Sequence, residues 1–332
     1  MNKHYLTDKA DYNYSMLEER LLEINDVLKS KYKSFEELMN KLKENKEPTL
    51  IIATGGSKTV GSFLKKILED IGIICELIEP RDYFHKNNIS SYKNLIVISA
   101  SGKSNGVEES LSTFIGNKYL ITEEDKEKDY KVISWGNETY TKEKSFISLA
   151  TSLGPIVLFL DTIEKDILKV NEKVKLLLKR SKEKIDSLDV SFKDTKLIEV
   201  ISGYETRPSD VTLESNLVET GTTPVVIHDK SSFCHGRSNL KYNYPNSKII
   251  YLTHEINELD RLLLSLLAEE YKGINIITTE DLEENAYWKE FYMLLQIYFL
   301  SRKIADDKGI DITQPEYNRN IVKKVYTYRG EM

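Results

Sequence analysis

Residues 95–104 read Leu-Ile-Val-Ile-Ser-Ala-Ser-Gly-Lys-Ser, and this short stretch contains the features that decide the fold. Its four leading apolar residues form a run typical of a buried strand. The serine-rich turn ends at Ser104, and a helical pattern begins at about Gly106. A buried strand, a polar turn and a helix in this order are typical of a parallel sheet covered by helices on both faces.

The same alternation extends outward from this segment in both directions. In the first half, apolar runs predict strands at 50–53, 73–78, 95–98, 119–121 and 132–134. A helix is predicted over 57–70. In the second half, further apolar runs predict strands at 197–201, 224–227, 248–252 and 274–277. Helices are predicted to end near Glu219 and Asp307. A long helical region over 142–187, interrupted near Gly154 and Pro155, separates the halves. We therefore predict an α/β protein with two similar units.

This pattern divides the chain into five segments, each with its own expected architecture. They are an N-terminal helical arm (1–47), a first α/β unit (48–163), a helical linker (164–194), a second α/β unit (195–310) and a C-terminal tail that closes over a site (311–332). We expect the arm to be a packing helix or a dimer contact, although a partner-binding element remains an alternative.

Composition and charge exclude several classes of protein. The chain has 332 residues and a net charge of -6, which argues against a nucleic-acid surface. No apolar run approaches the roughly 18–20 residues that span a bilayer. The two cysteines, Cys75 and Cys234, lie far apart and predict free thiols in a reducing cytoplasm, and no Cys/His cluster has metal-ligand spacing. We therefore expect a cytoplasmic protein without metal, cofactor, nucleic acid or membrane.

The serine turn is a candidate phosphate site. Ser99, Ser101 and Ser104 follow a predicted strand and therefore lie at the carboxyl edge of the sheet, where ligands bind in open α/β folds. The N-terminus of the next helix attracts anions by on the order of 1 kcal/mol, and Lys103 adds a positive charge. The alternative is a capped turn without a ligand. A nucleotide P-loop is excluded because its first glycine is replaced by Val97.

An earlier turn, over residues 54–58, joins the first predicted strand to its helix. It contains Gly55, Gly56 and Ser57, and glycines let the backbone approach a ligand closely. With Gly61 the turn loosely imitates a dinucleotide fingerprint, but the spacing does not match. A simple tight turn is the alternative.

Glu219 and His235, 16 residues apart, are the candidate acid–base residues. A carboxylate and an imidazole suit chemistry that moves a proton between two carbons of a sugar. Glu219 lies near a predicted helix C-terminus, where the helix dipole disfavours a carboxylate, and Arg237 near His235 is a natural anion partner. Lys323 in the terminal tail could reach back over a site. The alternatives are an exposed glutamate and an ordinary loop histidine.

Together these motifs resemble the sugar isomerase (SIS) family, specifically the double-SIS architecture of the isomerase half of glucosamine-6-phosphate synthase. The family's phosphate loop, Ser-x-Ser-Gly-x-Thr, is similar to residues 99–104, and its Gly-Thr-Ser turn is matched loosely by 55–57. Its Lys-Glu…His-Gly-Pro stretch is similar to Glu219 and His235-Gly236 with the interval kept. Its segment with Glu, Lys and Phe and its Asn-Leu-Ala-Lys-Ser-Val tail are approximated by 138–146 and 320–325.

The resemblance covers roughly residues 45–330 and implies a fold and an activity. The fold would be two SIS-type three-layer α/β/α units, each with a parallel sheet. The activity would be that of an aldose–ketose isomerase, or of an amino-sugar-phosphate deaminase or deglycase, working through an enediol or enolamine. The alternative is a phosphosugar-sensing regulatory protein without turnover, although no basic DNA-binding module is evident.

The resemblance also implies roles for individual residues. Glu219 would be the base, His235 would assist ring opening from the neighbouring subunit of a homodimer, and Lys323 would close over the sugar. The phosphate and substrate would be bound by Gly56, Ser57, Ser99, Ser101, Lys103, Ser104 and Arg237. Departures from the family pattern leave the sugar open: Arg237 stands where proline is usual, and Ser232, Thr212 and Lys103 replace acidic or polar residues.

Overall fold

The computed structural model describes residues 9–28, 32–102, 104–123, 128–135, 143, 146–147, 149–271 and 273–315. The chain begins with three helices, α1 (Ala10–Ser15), α2 (Leu17–Leu28) and α3 (Tyr32–Asn45). Tyr14, Leu17, Leu21 and Phe35 from these helices are buried in the largest apolar cluster. The N-terminal helices therefore pack as part of the core of the first half.

The first sheet is parallel throughout and has the order β2-β1-β3-β4-β5. Its strands are β1 (Thr49–Ile52), β2 (Cys75–Ile78), β3 (Asn94–Ile98), β4 (Asn117–Thr122) and β5 (Lys131–Ser134). Helix α4 (Ser57–Asp70) follows β1, and α5 (Asn105–Thr113) follows β3. Ile51 packs into one apolar cluster, whereas Leu50 and Ile52 pack into another, so helices and loops cover both faces of the sheet.

Two long helices connect the sheets, and here one prediction is wrong. Helix α6 (Ala150–Glu164) continues through Pro155, and the break comes at Lys165, which is left-handed with φ 57°. Helix α7 (Ile167–Asp186) then begins with Asp166 as its N-cap. A proline inside a helix costs about 3 kcal/mol. Helix α6 tolerates it because nearly every residue from Ala150 to Thr162 is buried, and this packing holds the helix together.

The second sheet repeats the architecture with the order β7-β6-β8-β9, again parallel. Its strands are β6 (Leu197–Ser202), β7 (Val225–Asp229), β8 (Ser247–Thr253) and β9 (Ile274–Thr278). Its helices are α8 (Arg207–Glu219), α9 (Lys230–Cys234), α10 (Leu240–Asn243), α11 (Glu258–Glu270) and α12 (Ala286–Asp307). Val200 and Ile201 enter different apolar clusters, so this unit also has three layers.

The predicted strands, the helix at 57–70 and the helices predicted to end near Glu219 and Asp307 are confirmed within a few residues. Helix α11 was not predicted, because its leucines are not confined to one buried face. Lys103, Lys323 and residues 316–332 lie outside the described residues.

Antiparallel packing of α4 against α8 joins the two units. The hydroxyls of Thr59 and Thr212 lie 2.6 Å apart in this buried interface. Near the other end of α4, the Tyr204 hydroxyl donates a hydrogen bond of 2.5 Å to Glu69. The start of α4 therefore meets the end of α8, so the carboxyl edge of the first sheet lies beside the amino edge of the second.

Candidate functional site

The strand order creates a crevice at the carboxyl edge of the first sheet. From β1 the chain passes through α4 to β2 on one side, whereas β3 lies on the other side of β1. Such a switch point is where ligands bind in open α/β sheets. The turns over 54–57 and 99–104 follow β1 and β3. The structure therefore brings both sequence-predicted turns to the same place.

No side chain caps either of the helix N-termini that follow these turns. Gly55 and Gly102 are left-handed, with φ of 53° and 59°, a conformation that glycine adopts without strain. The Gly102 N–H donates to Ser99 Oγ at 3.1 Å and closes the serine turn. Helices α4 and α5 have Gly56 and Ser104 as N-caps, and neither cap has a side-chain hydrogen bond. In α4 the N–H groups of Ser57 and Lys58 already donate to Thr54 O at 3.2 Å and Gly55 O at 2.8 Å. The N-terminus of α5 is therefore the better candidate for an anion.

The corresponding crevice of the second sheet is filled by the chain itself. There the Glu290 carboxylate accepts hydrogen bonds from Ser209 N at 2.9 Å and Ser209 Oγ at 2.7 Å, at the start of α8. At the start of α11, the Asn257 side chain accepts from Asp260 N at 2.9 Å. Because the side chains of Glu290 and Asn257 bind the N-termini of α8 and α11, the first crevice is the better candidate for an anion ligand.

Glu219 reaches the first crevice from the second unit. It is the last residue of α8, and the packing of α8 on α4 carries it to the turn after β1. A Cβ atom placed on Gly55 would lie 3.5 Å from Glu219 Oε1. A carboxyl group from one half of the chain therefore lies against the backbone turn of the other half.

The surroundings of Glu219 alter its acidity. The side chain is exposed in the single chain, yet desolvation by the surrounding protein raises the pKa of its carboxyl, and Glu214 and Glu79 raise it further. A hydrogen bond from Ser215 and the charge of Lys58 lower the pKa in part. A carboxyl with a raised pKa takes up a proton more readily, which suits a general base working near neutral pH.

Two neighbours of the site were missed from the sequence. Ser152, in the first turn of α6, has its hydroxyl 3.2 Å from the position of a Cβ on Gly56. Ser215 donates to Glu219 Oε1 at 2.6 Å. The spacing of four residues between Ser215 and Glu219 on a helix could have revealed this contact. No local signal marks Ser152, because it reaches Gly56 only through the packing of α6 on α4.

His235 lies at a different edge of the molecule. It follows α9 at the carboxyl end of β7, and both His235 and Arg237 are exposed. Glu219 precedes the amino end of β7. The five residues of β7 at about 3.3 Å each place roughly 16 Å between its ends. Within one chain, Glu219 and His235 are therefore not brought together.

No group of three or more His, Cys, Asp or Glu among the described residues could hold a metal ion. None of the described helices is long and apolar enough to cross a membrane.

Comparisons with known proteins bear on the fold. The sequence matches no protein-family model and no curated protein. Among solved structures, it is similar to a protein of Clostridium difficile 630 that has been assigned by inference as a phosphosugar isomerase. The TM-score is 0.70 at 18% identity, and the match covers 95% of this chain and 99% of that chain.

Two further structures are similar over most of their length. The C-terminal domain of glucosamine-fructose-6-phosphate aminotransferase from Francisella tularensis gives a TM-score of 0.66 at 16% identity, covering 95% of this chain and 98% of that chain. Glucosamine-6-phosphate deaminase from Thermotoga maritima gives 0.64 at 16% identity, covering 90% and 98%. These likenesses confirm the predicted SIS-type fold of two α/β/α units.

Proposed function

We propose that this protein is a phosphosugar-binding enzyme that moves a proton between adjacent carbons of its substrate through an enediol or enolamine. The observation that carries the proposal is the Glu219 carboxyl beside the Gly55 turn, at a crevice where the N-terminus of α5 has no side-chain cap. An acid–base group and an anion site side by side are what this reaction needs. The names of the similar structures support the same class of substrate.

In this proposal the turns before α5 and α4 bind different parts of the substrate. The uncapped N-terminus of α5, with the hydroxyls of Ser99, Ser101 and Ser104, binds the phosphate. Gly56 and Ser57 bind the substrate at the start of α4. Glu219 removes the proton from one carbon and returns it to the neighbouring carbon. Lys103 and Lys323 are proposed on sequence resemblance, as a phosphate contact and as a closing residue.

Isomerisation and amine release begin with the same step. An aldose–ketose isomerase, an amino-sugar-phosphate deaminase and a deglycase each need a base at the carbons next to the carbonyl or imine. They differ in whether an amine then leaves. We therefore propose this group of reactions, with the substrate to be identified by binding.

We also propose that the site is shared between two copies of the chain. His235 is exposed and far from Glu219 of its own chain, so it is placed to serve the site of a second copy. Helix α11 supports an assembly because Leu259, Leu262 and Leu266 are 66%, 57% and 52% exposed. Exposed apolar faces of this kind are common at protein interfaces. The proposed assembly is a homodimer.

The first test is a thermal-shift screen with fructose, glucose, glucosamine, N-acetylglucosamine and fructoselysine 6-phosphates, with inorganic phosphate as control. A ligand at 100 times its Kd stabilises the folded protein by about 2.7 kcal/mol. We expect a selective shift with one of the sugar phosphates. No shift with any of them would contradict the proposed class of substrate.

The second test is the Glu219→Gln variant, assayed with the ligand that binds. Binding should persist, whereas turnover should fall by about 10²–10⁴-fold because the base is lost. Glu172→Gln, which changes an exposed glutamate on α7, is the control and should stay active. An active Glu219→Gln variant would refute the proposed role of Glu219. A wild-type protein that binds a sugar phosphate without turnover would instead be a phosphosugar sensor.

A further inference from the structure

Ser215 lies one helical turn before Glu219 on α8, where side chains four residues apart face each other. Its hydroxyl donates to Glu219 Oε1 at 2.6 Å. Within the described part of the chain, it is the one side chain that hydrogen-bonds this carboxylate. The contact therefore holds one carboxylate oxygen, and no side chain among the described residues donates to Oε2.

Other hydroxyls on the same helix behave differently. Thr212 donates to Pro208 O at 2.6 Å and Thr220 donates to Asn216 O at 2.6 Å, the usual backbone partners four residues earlier. A hydroxyl has one proton to donate. Ser215 donates its proton to the Glu219 carboxylate and not to the backbone carbonyl four residues earlier. Its contact therefore differs from the usual backbone contact of a hydroxyl on a helix.

The other groups around Glu219 cannot hold it in place equally well. Glu214 on α8 and Glu79 after β2 carry like charges, and the C-terminal end of α8 disfavours an anion. Among the described residues, Lys58 on α4 is a cation whose charge acts on Glu219, but it forms an ion pair with Glu79 at 2.5 Å. The orientation of the Glu219 carboxylate therefore depends on a neutral donor.

We propose that Ser215 is the positioning residue for the Glu219 base: by binding Oε1 it fixes the orientation of the carboxylate beside the Gly55 turn. This inference rests on the proposed function, because it assigns a role in the same reaction. Ser215 touches the base and not the substrate, so it acts through Glu219.

The inference predicts a shift in the pH profile. A hydrogen bond to the ionised carboxylate favours that form, so its loss makes Glu219 easier to protonate. In Ser215→Ala, the acid limb of kcat/KM should move to higher pH by about one pH unit. Ser215→Thr keeps the hydroxyl and should restore the wild-type limb. Alanine favours the helix, so the variant is expected to fold.

A direct measurement needs no substrate. Carbon-13 NMR of labelled glutamate carboxyls follows the titration of Glu219, assigned by its absence in Glu219→Gln. The Glu219 midpoint should rise in Ser215→Ala and stay unchanged in Ser265→Ala, which removes an exposed hydroxyl on α11 bonded to Leu262 O. An unchanged midpoint in Ser215→Ala would overturn the inference. Full activity in Glu219→Gln would instead overturn the proposed function, and the two failures are thus separate.

Discussion

At the residue scale, desolvation by the surrounding protein raises the pKa of a carboxyl group near each end of α8. Glu219 at its end and Asp210 near its start both have a raised pKa, and desolvation is the main cause for each. They differ in access to solvent, since Glu219 is exposed and Asp210 is fully buried. Glu219 is therefore accessible to solvent, whereas the protonation of Asp210 affects the stability of the fold.

Asp210 gives a prediction about stability and pH. Ser202 donates to its Oδ2 at 2.6 Å, Arg207 lies 3.2 Å away, and burial raises its pKa to about 7. Because the folded protein binds this proton more tightly than the unfolded chain, its contribution is complete below about pH 4 and is lost as the pH rises to 7. The loss is on the order of 2–4 kcal/mol. In Asp210→Asn, stability should rise at pH 8 relative to wild type.

Urea unfolding at pH 4.5 and pH 8 measures this effect. The gain in Asp210→Asn should be larger at pH 8. Asp229→Asn is the matched control, because exposed Asp229 also contacts Arg207, at 2.7 Å. An equal change in both variants at both pH values would show that the Asp210 proton does not govern stability.

At the element scale, the start of α6 depends on one buried ion pair. Glu143 accepts hydrogen bonds from the backbone N–H groups of Leu149 and Ala150, at 3.1 and 2.9 Å, and of Thr151 at 3.2 Å. Arg20 of α2 lies 3.4 Å from the same carboxylate, and both side chains are buried. The N-terminal arm is thereby tied to α6, the helix that places Ser152 beside Gly56.

Removing one partner of this pair should be costly. Arg20→Met leaves the Glu143 charge buried without its cation, so we expect a loss of about 3 kcal/mol or more in unfolding free energy. Lys131→Met, which breaks an exposed ion pair with Glu37, should cost less than about 1 kcal/mol. Denaturant unfolding of both variants checks this, and equal small losses would argue against the pair as a stabilising contact.

At the scale of the whole molecule, the proposed shared site can be tested by mixing inactive variants. Glu219→Gln and His235→Ala should each lose activity in a homodimer. After subunit exchange, mixed dimers would contain one intact site, so a 1:1 mixture should recover up to about a quarter of wild-type activity. Mixing Glu219→Gln with the double variant should recover none. Exchange without recovery would show that His235 does not serve the partner's site.

The secondary structure was largely predictable because buried parallel strands have continuous apolar runs. Residues 95–98 and 248–252 could be recognised in this way. The end of α6 could not be predicted from the sequence, because a proline normally ends a helix and a break was expected at Pro155. Burial of α6 stabilises the helix through this residue. Helix α11 was missed because Leu259 and Leu262 face solvent, which blurs its helical period.

The sequence by itself determined the alternation of strands and helices, the turns at 54–57 and 99–104 and the position of Glu219 at a helix end. These are local properties, set by apolar periodicity and turn residues. Only the tertiary structure decided that Glu219 lies against Gly55 and that β7 separates it from His235. The reason is physical: the packing of α4 against α8, where the Thr59 and Thr212 hydroxyls lie 2.6 Å apart, joins distant parts of the chain, and local sequence does not specify that pairing.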